Sequence, residues 1–307
     1  MKFICAQPAI DYYTWQVEVM IDNFIRNGIS PEDIHIVCAY KKDEKTISEN
    51  WIKLKQHYTN VKFFFYRDDR VKPNYIPSIR PHILHQHWIN NPYLEKETVF
   101  YHDCDIALTK PLDLSDILED SNCYVSDTVS YIGANYIRSK GEHYLDLMTQ
   151  IVNVNKDLVI SQEKESGGAQ YLLKNIPAKF WEKVYYDCEN LWRLINIQIK
   201  KDNPDHPIQI WCADMWAVLW NLWVFGNLVK VTDKMSFAWA TSSVQDWDKH
   251  PIYHNAGVVG PDQKMFYKGQ YQIKLPYDIN LEDFSNDRCS YKYAEEILKT
   301  KEVTCLK

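Results

Sequence analysis

Strand-like and helix-like segments alternate along the first hundred residues of this 307-residue chain. Short apolar runs at residues 3–6, 34–39, 61–66 and 98–101 predict buried strands, and stretches with apolar residues at helical spacing lie between them. Repeated strand-helix-strand units are typical of an α/β fold, in which a mainly parallel sheet is flanked by helices. Such sheets bind ligands beyond the carboxyl ends of their strands. We therefore predict one large α/β domain with its site at that edge.

The fourth predicted strand leads directly into Asp103 and Asp105, within the sequence Tyr-His-Asp-Cys-Asp. Side chains alternate along an extended segment, so these two carboxylates are expected to point to the same side and converge. Neighbouring anionic groups repel each other unless a cation lies between them or one of them is protonated. Mg²⁺ and Mn²⁺ prefer oxygen ligands and are usually held by one or two carboxylates together with substrate phosphates. The simplest interpretation is a site for a divalent cation and a diphosphate.

Composition limits the setting of this site. A formal net charge of −6 and a pI near 5.9 argue against a broadly basic surface for non-specific nucleic-acid binding. The eight cysteines stand at irregular positions with no C-x-x-C pair, which favours a reducing compartment. No stretch has the roughly 18 consecutive apolar residues that a membrane span requires. We expect a soluble protein of the cytoplasm, or of the host cytoplasm if the source is viral.

The second half of the chain is less regular. A short strand is expected over residues 131–134, and a helix is expected over residues 169–174, just after Ser-Gly-Gly. Asp214 is expected to open an apolar helix that reaches Trp223 and ends near Gly226. The tryptophans of this half are expected to lie mostly in the core, with one or two available to stack on a sugar or a nucleobase.

Four motifs follow one another in the order typical of the GT-A glycosyltransferases, which use a nucleotide-sugar donor, and the chain resembles that superfamily. The motifs are a D-x-D pair, a glycine-containing loop, an acidic residue at the start of a helix, and a late histidine. They correspond here to Asp103 and Asp105, Gly167 and Gly168, Asp214, and His254. The resemblance extends roughly over residues 1–260. More faintly, residues 80–88 and 213–215 resemble the transferases that add arabinose to hydroxyproline or galactose to peptidyl serine.

The resemblance implies how metal and donor are bound. Asp105 would bind the metal, and Asp103 would contact the metal or the ribose and sugar hydroxyls of the donor. His254 would supply a neutral nitrogen ligand, which suits Mn²⁺ at least as well as Mg²⁺. Arg80 would offset phosphate charge from a preceding helix. The cation would act as a Lewis acid on the negative charge that builds on the departing diphosphate.

The remaining positions concern the sugar and the acceptor, and Asp214 and Gln170 are the catalytic candidates. Gly167 and Gly168 would let the backbone approach the sugar or the acceptor closely, and the amide of Gln170 would orient a sugar hydroxyl. Asp214 is the candidate general base if the reaction inverts the anomeric centre. The nearer resemblance is to retaining enzymes, in which the leaving phosphate takes the proton and Asp214 orients the acceptor. The stereochemistry stays open.

The predicted function is metal-dependent transfer of a hexose or pentose from a nucleotide-diphosphate donor, with UDP as the expected nucleotide. The acceptor would be a hydroxyl of a glycan, a polypeptide or a hydroxymethylated DNA base; the acidic balance counts against DNA, because phosphate contacts dominate nucleic-acid affinity. Residues 1–120 would form the nucleotide-sugar half and residues 121–307 the acceptor half. The alternatives are a Mg²⁺-dependent phosphatase of the haloacid-dehalogenase type, with the first Asp as nucleophile, and a nucleotide-sugar-binding module without turnover.

Overall fold

The computed structural model describes residues 1–41, 43 and 46–306, and ten strands lie in these ranges. Their bounds are β1 (Lys2–Pro8), β2 (Ile34–Lys41), β3 (Lys62–Asp68), β4 (Val99–His102), β5 (Ile106–Leu108), β6 (Cys123–Asp127), β7 (Gly167–Leu173), β8 (Val229–Val231), β9 (Phe237–Trp239) and β10 (Ile252–His254). Seven strands form one sheet in the order β3-β2-β1-β4-β7-β6-β8, and three form a second sheet in the order β5-β10-β9. β2 is parallel to β1 and β8 is parallel to β6, whereas β7 is antiparallel to β4 and β6.

Twelve α-helices accompany the strands within the same described ranges. Their bounds are α1 (Thr14–Arg26), α2 (Glu49–His57), α3 (Ile79–Asn90), α4 (Ser115–Leu118), α5 (Val129–Ile132), α6 (Ala134–Lys140), α7 (Glu142–Val152), α8 (Lys156–Ser161), α9 (Ala178–Asp202), α10 (Ala213–Val224), α11 (Asp246–Lys249) and α12 (Cys289–Lys301). The mostly parallel large sheet with its flanking helices confirms the predicted α/β fold. In the part of the chain that the structure describes, no helix combines the length and the apolarity needed to span a bilayer.

The fold divides into two compact units, each assembled from separate stretches of the chain. The first unit comprises Met1, Tyr66–Tyr101 and Asp116–Asp233, and the second comprises Lys2–Phe65, His102–Ser115 and Lys234–Lys307. The halves suggested by the sequence, residues 1–120 and 121–307, stay a prediction.

Large aromatic side chains fill the core of the first unit, where α9 packs on α3 and α10. Trp88 of α3 and Trp181 of α9 are buried and meet edge to face, with ring centroids 5.4 Å apart. The Trp88 indole donates a hydrogen bond to the carbonyl of Ile176 (2.9 Å), and the indole of Trp216 in α10 donates to the carbonyl of Ile132 (2.8 Å). These bonds satisfy indole N–H groups that would be costly to bury without a partner.

Asn23 of α1 ties β5 and α12 together in the second unit. Its buried amide accepts a hydrogen bond from the N–H of Leu108 (2.7 Å) and donates to the carbonyl of the same residue (3.1 Å). It also donates to the carboxylate of Glu296 in α12 (3.0 Å), which accepts a second bond from Arg26 (2.7 Å). Because β5 begins directly after Asp105, this network anchors the strand that follows the acidic pair.

Two local predictions are wrong. Residues 169–174 do not form a helix, because residues 169–173 belong to β7, which pairs with β4 on one side and with β6 on the other. An apolar run this short fits either element, and the two neighbouring strands decide the outcome. Residues 131–134 do not form a strand: residues 131 and 132 end α5, Gly133 lies between the two helices, and Ala134 begins α6. The Asp127 carboxylate accepts the N–H of Val129 (3.0 Å) at the start of α5, which favours a helical turn there.

Candidate active site

Asp103 and Asp105 lie in a turn between β4 and β5, and not in the extended segment assumed from the sequence. The backbone carbonyl of Asp105 accepts a hydrogen bond from the N–H of Asn255 (2.9 Å), which links the turn to the residue after β10. The predicted convergence is confirmed all the same. Carboxylate oxygens of both aspartates and a ring nitrogen of His254 lie within 4.8 Å of one another.

His254 ends β10, where the register sets it opposite Ile106 of β5 and Trp239 of β9. Its Nε2 is 3.4 Å from Oδ1 of Asp105 and 3.6 Å from Oδ2 of Asp103. The imidazole lies nearly parallel to the Trp239 ring, with an interplanar angle of 14° and centroids 5.8 Å apart. The buried Nδ1 has no hydrogen-bond partner among the described residues. Nε2 is therefore the nitrogen that faces both carboxylates.

Lys268 completes this cluster, although no sequence motif pointed to it. Its Nζ donates to Oδ2 of Asp105, 163 residues away along the chain. Burial by itself raises the pKa of the Asp105 carboxyl, but the Lys268 ammonium and the His254 imidazole outweigh burial, so this pKa lies below its usual value. Burial by itself lowers the pKa of Lys268, but Asp105 overcomes that effect and the pKa is raised. Both partners are therefore charged near neutral pH.

The donor set fits a small divalent cation. Two carboxylates and one imidazole nitrogen are ligands that Mn²⁺ accepts, and Mg²⁺ is commonly bound by one or two carboxylates. Ligand atoms bonded to one such ion at about 2.1 Å lie about 3 to 4 Å apart. The separations of 3.4 and 3.6 Å from Nε2 of His254 to Asp105 and Asp103 fall in that range. We infer that Asp103, Asp105 and His254 would hold the ion.

Replacing Lys268 by methionine is expected to raise the affinity of this cluster for Mn²⁺ by about tenfold. The Lys268 ammonium neutralises Asp105 and repels a dication. Two unit charges of like sign 4 Å apart repel each other by about 4 kcal/mol at an effective dielectric constant of 20, and solvent offsets part of this repulsion. Calorimetric titration of Mn²⁺ into both proteins measures the change. Lys274→Met, at an exposed position of the same unit, is the control and should bind as the wild type does. Equal or weaker binding by Lys268→Met would contradict competition between lysine and cation.

Asp214 lies in the first turn of α10, and Cys212 occupies the N-cap position before it. Arg80 donates from Nη2 to Oδ2 of Asp214 (2.6 Å), and the Tyr75 hydroxyl donates to Oδ1 (2.7 Å). The same hydroxyl lies 2.6 Å from the carbonyl oxygen of Trp211. Burial, reinforced by the Asp214 carboxylate, raises the pKa of Tyr75, so the phenol keeps its proton and acts as a donor. Asp214 is thus a largely buried carboxylate held by a guanidinium and a phenol.

Arg80 is the residue that the sequence suggested as a phosphate ligand. It lies in the first turn of α3, as expected, but the contact seen here is the ion pair with Asp214. Its side chain is 24% exposed. Its role toward a phosphate stays a prediction.

Gly167 and Gly168 begin β7 beside a shift in its register with β6. A Cβ on Gly167 would lie 2.4 Å from the carbonyl oxygen of Ser126, and a Cβ on Gly168 would lie 2.8 Å from Cε of Met215. Real Cβ atoms do not approach other atoms so closely, so the backbone contact requires glycine at position 167, whereas a Cβ at position 168 would have to displace the flexible end of Met215. Gly168 is thereby held against the residue that follows Asp214. A contact of either glycine with sugar or acceptor stays a prediction.

Gln170 lies inside β7 and is fully buried, whereas the sequence suggested the first turn of a helix. Its Oε1 accepts a hydrogen bond from Oγ of Ser126 (2.7 Å), and its Nε2 has no partner among the described residues. The preceding Ala169 has φ = 69°, a left-handed conformation that is costly for a residue with a Cβ. The strained backbone and the unsatisfied amide mark this bulge as a specialised feature. Contact of Gln170 with a sugar stays a prediction.

Five of the predicted site residues therefore fall into two clusters, one in each unit. The second unit brings Asp103, Asp105 and His254 together, and the first unit joins Arg80 to Asp214. Sequence reasoning missed Lys268 and Tyr75, because neither belongs to a motif. The sequence could indicate the chemical type of these partners but not their positions. A buried acidic pair needs a cationic partner, and a buried carboxylate needs hydrogen-bond donors.

Comparison with known proteins gives likenesses in structure alone. No protein-family model matches the chain, and no curated protein matches it. WbbM, a bifunctional glycosyltransferase, overlaps with a TM-score of 0.48 and 11% identity over 96% of this chain and 51% of that chain. The chain thus spans about half the length of WbbM.

Two further solved structures overlap with more of their own length. The galactosyltransferase LgtC, in complex with donor and acceptor sugar analogues, has a TM-score of 0.44 and 13% identity over 99% of this chain and 96% of that one. Mouse xyloside xylosyltransferase 1 has a TM-score of 0.37 and 9% identity over 83% of this chain and 97% of that one. At such scores and identities these likenesses support no conclusion about the family or the activity of this chain.

Proposed function

We propose that this protein is a glycosyltransferase that moves a hexose or pentose from a nucleoside diphosphate donor to an acceptor hydroxyl. The observation that supports the proposal most strongly is the convergence of Asp103 and Asp105, in the turn after β4, with His254 at the end of β10, because together they form a ligand set suited to Mn²⁺ or Mg²⁺. UDP is the proposed nucleotide. The proposed acceptor is a hydroxyl of a glycan, a polypeptide or a hydroxymethylated DNA base.

The leaving group determines what the acidic cluster must do. In this reaction the bond from the anomeric carbon to the phosphate oxygen breaks, a bond to the acceptor oxygen forms, and negative charge grows on the departing diphosphate. A cation held by Asp103, Asp105 and His254 would neutralise that charge as a Lewis acid. The Lys268 ammonium, in contact with Asp105, adds a fixed positive charge beside it. The side chain of Asp103 is 29% exposed, and in this proposal it also accepts hydrogen bonds from hydroxyls of the donor ribose or sugar.

In this proposal Asp214 accepts hydrogen bonds from hydroxyl groups of the sugar and the acceptor. Arg80 donates one hydrogen bond to Oδ2 of Asp214, and Tyr75 donates one to Oδ1. Each oxygen can still accept a further hydrogen bond from a substrate hydroxyl. In an inverting reaction Asp214 takes the acceptor proton. In a retaining reaction the leaving phosphate takes the proton and Asp214 orients the acceptor. Arg80 contributes positive charge toward the donor phosphates, and Gly167, Gly168 and Gln170 line the sugar or acceptor position.

Turnover of sugar nucleotides in the presence and absence of metal tests the proposal. The purified chain is incubated with UDP-glucose, UDP-galactose, UDP-N-acetylglucosamine and UDP-xylose, each with Mn²⁺ or with EDTA. UDP release that depends on Mn²⁺ is expected for at least one donor. Cleavage of p-nitrophenyl phosphate without donor turnover would indicate a phosphatase. A rise in melting temperature with donor and Mn²⁺, but no turnover, would indicate a binding module.

The phosphatase alternative is not favoured by the arrangement of the site. Asp103 and Asp105 follow β4, the fourth strand along the chain, whereas the D-x-D of haloacid-dehalogenase phosphatases normally follows the first strand of its domain. The third candidate ligand here is the imidazole of His254, and not a later acidic pair.

A further inference from the structure

Trp211 differs from the other tryptophans in its exposure to solvent. It is the one tryptophan among the exposed large apolar side chains of the described residues, with 53% of its surface accessible. Trp216, Trp220 and Trp223, which follow it in α10, are buried as the sequence suggested. The indole of Trp211 therefore does not serve the core of the first unit. Its exposed face is available to a ligand.

The Trp211 ring is held in a defined position. It stacks on the ring of Tyr131, with centroids 6.0 Å apart and an interplanar angle of 27°. The Tyr75 hydroxyl lies 2.6 Å from the carbonyl oxygen of Trp211. Two residues earlier, the N–H of Gln209 donates to the hydroxyl of Tyr136 (2.9 Å). The backbone is thus fixed at Trp211 and just before it, and the indole is buttressed by a second aromatic ring.

The same phenol that binds the Trp211 backbone also binds Asp214. Tyr75 lies 2.7 Å from Oδ1 of Asp214. Residues 210–224 form a continuous helical stretch, first 3₁₀ and then α, and residues three apart in a helix have Cβ atoms about 5 to 6 Å apart on one face. The two side chains thus leave the backbone one helical turn apart, which would set the substituents of a ligand ring on Trp211 near the carboxylate of Asp214.

This combination of groups selects a carbohydrate. The face of a pyranose that carries axial C–H bonds is apolar and lies flat on an aromatic ring, and the hydroxyls at the ring edge donate to a carboxylate. A nucleic acid is disfavoured, because its closely spaced backbone phosphates would be repelled by the Asp214 carboxylate and by the net charge of −6 on the chain. Polypeptide acceptors offer fewer hydroxyls to a carboxylate than a glycan does.

We propose that Trp211, supported by Tyr131, is the platform on which a glycan acceptor stacks, with its reactive hydroxyl directed toward Asp214. The inference rests on the proposed glycosyl transfer and narrows its acceptor from three classes to one. Trp211 acts as a specificity residue: it binds a sugar ring and takes no part in proton transfer. Loss of the ring should therefore raise the KM for the acceptor and leave kcat at saturating acceptor nearly unchanged.

Glycan binding without any donor tests this inference independently of catalysis. The full chain is applied to an array of plant, animal and microbial glycans, alongside Trp211→Ala, Trp211→Gln and Trp211→Phe. Wild type is expected to bind a related group of glycans, the first two variants at least about fivefold more weakly, and the phenylalanine variant nearly as the wild type does. The two ring-less variants guard against a folding defect peculiar to one of them. Leu228→Ala, an exposed apolar residue of the same unit, is the control and should bind normally.

Three outcomes would overturn the platform. They are absence of glycan binding by the wild type, equal binding by the ring-less variants, and Trp211-dependent binding of single-stranded oligonucleotides or peptides with no glycan binding. The proposed function fails in a different experiment, when no sugar nucleotide is turned over with Mn²⁺. Trp211-dependent glycan binding without donor turnover would thus support the sugar-binding surface and contradict the transferase activity. Donor turnover without glycan binding would support the transferase activity and contradict the platform.

Discussion

Asp105→Asn is expected to abolish cation-dependent turnover of the sugar-nucleotide donor, with a loss of about a thousandfold or more. The variant keeps the size of the side chain but removes the negative charge that would bind the ion, and charge stabilisation by such an ion is worth several kcal/mol in a transition state. UDP release with saturating Mn²⁺ measures the loss. Asp278→Asn, on a carboxylate that is 95% exposed in the same unit, is the control and should retain full turnover. Unchanged turnover in Asp105→Asn would remove the metal assignment.

The pH dependence of stability provides a second measurement on the same variant. The Asp105 carboxyl has a lowered pKa in the folded chain, because Lys268 and His254 outweigh the opposing effect of burial. The unfolded chain therefore binds more protons once the pH falls below the ordinary aspartate value of about 3.9. The stabilising contribution of Asp105 is present above about pH 4 and is lost at lower pH. The wild type should have a higher melting temperature than Asp105→Asn at pH 7, and the difference between the two melting temperatures should shrink below pH 4.

Asp214→Asn is expected to lower sugar transfer by about 10² to 10⁴-fold while changing the dissociation constant of the nucleoside diphosphate only slightly. Loss of a positioned general base or of an orienting carboxylate has effects of this size on the chemical step. Steady-state transfer and calorimetric binding of UDP with Mn²⁺ measure the two quantities. The variant also leaves the Arg80 guanidinium without its anionic partner, so its melting temperature must be compared with that of the wild type.

Two companion variants separate chemistry from structure at Asp214. Tyr75→Phe removes one hydrogen bond to the carboxylate but keeps its charge, and a smaller loss of transfer is expected. Asp205→Asn, at an exposed position of the same unit, should behave as the wild type does. Equal losses of transfer and of nucleotide binding in Asp214→Asn would indicate that the carboxylate serves the fold at the start of α10.

Several features of the fold were predictable from short windows of sequence. The strands before residue 102 and the helices α1, α2 and α3 follow from apolar periodicity, which local side-chain pattern encodes. Asp103 and Asp105 were placed correctly at the end of β4, although a turn brings their carboxylates together. Residues 169–174 were misassigned because a strand between two partners is defined by those partners, and not by its own few residues.

The sequence by itself determined the α/β alternation and the position of the acidic pair after the fourth strand, and the family resemblance singled out His254, which lies beside that pair in the structure. Only the tertiary structure decided that Lys268 pairs with Asp105 and that Tyr75 and Arg80 both bind Asp214. The physical reason is the separation of the interacting residues along the chain. Apolar periodicity involves only a few consecutive residues, so a short stretch of sequence reveals it. An ion pair between residues 163 positions apart exists only once the folded backbone brings both side chains to one point.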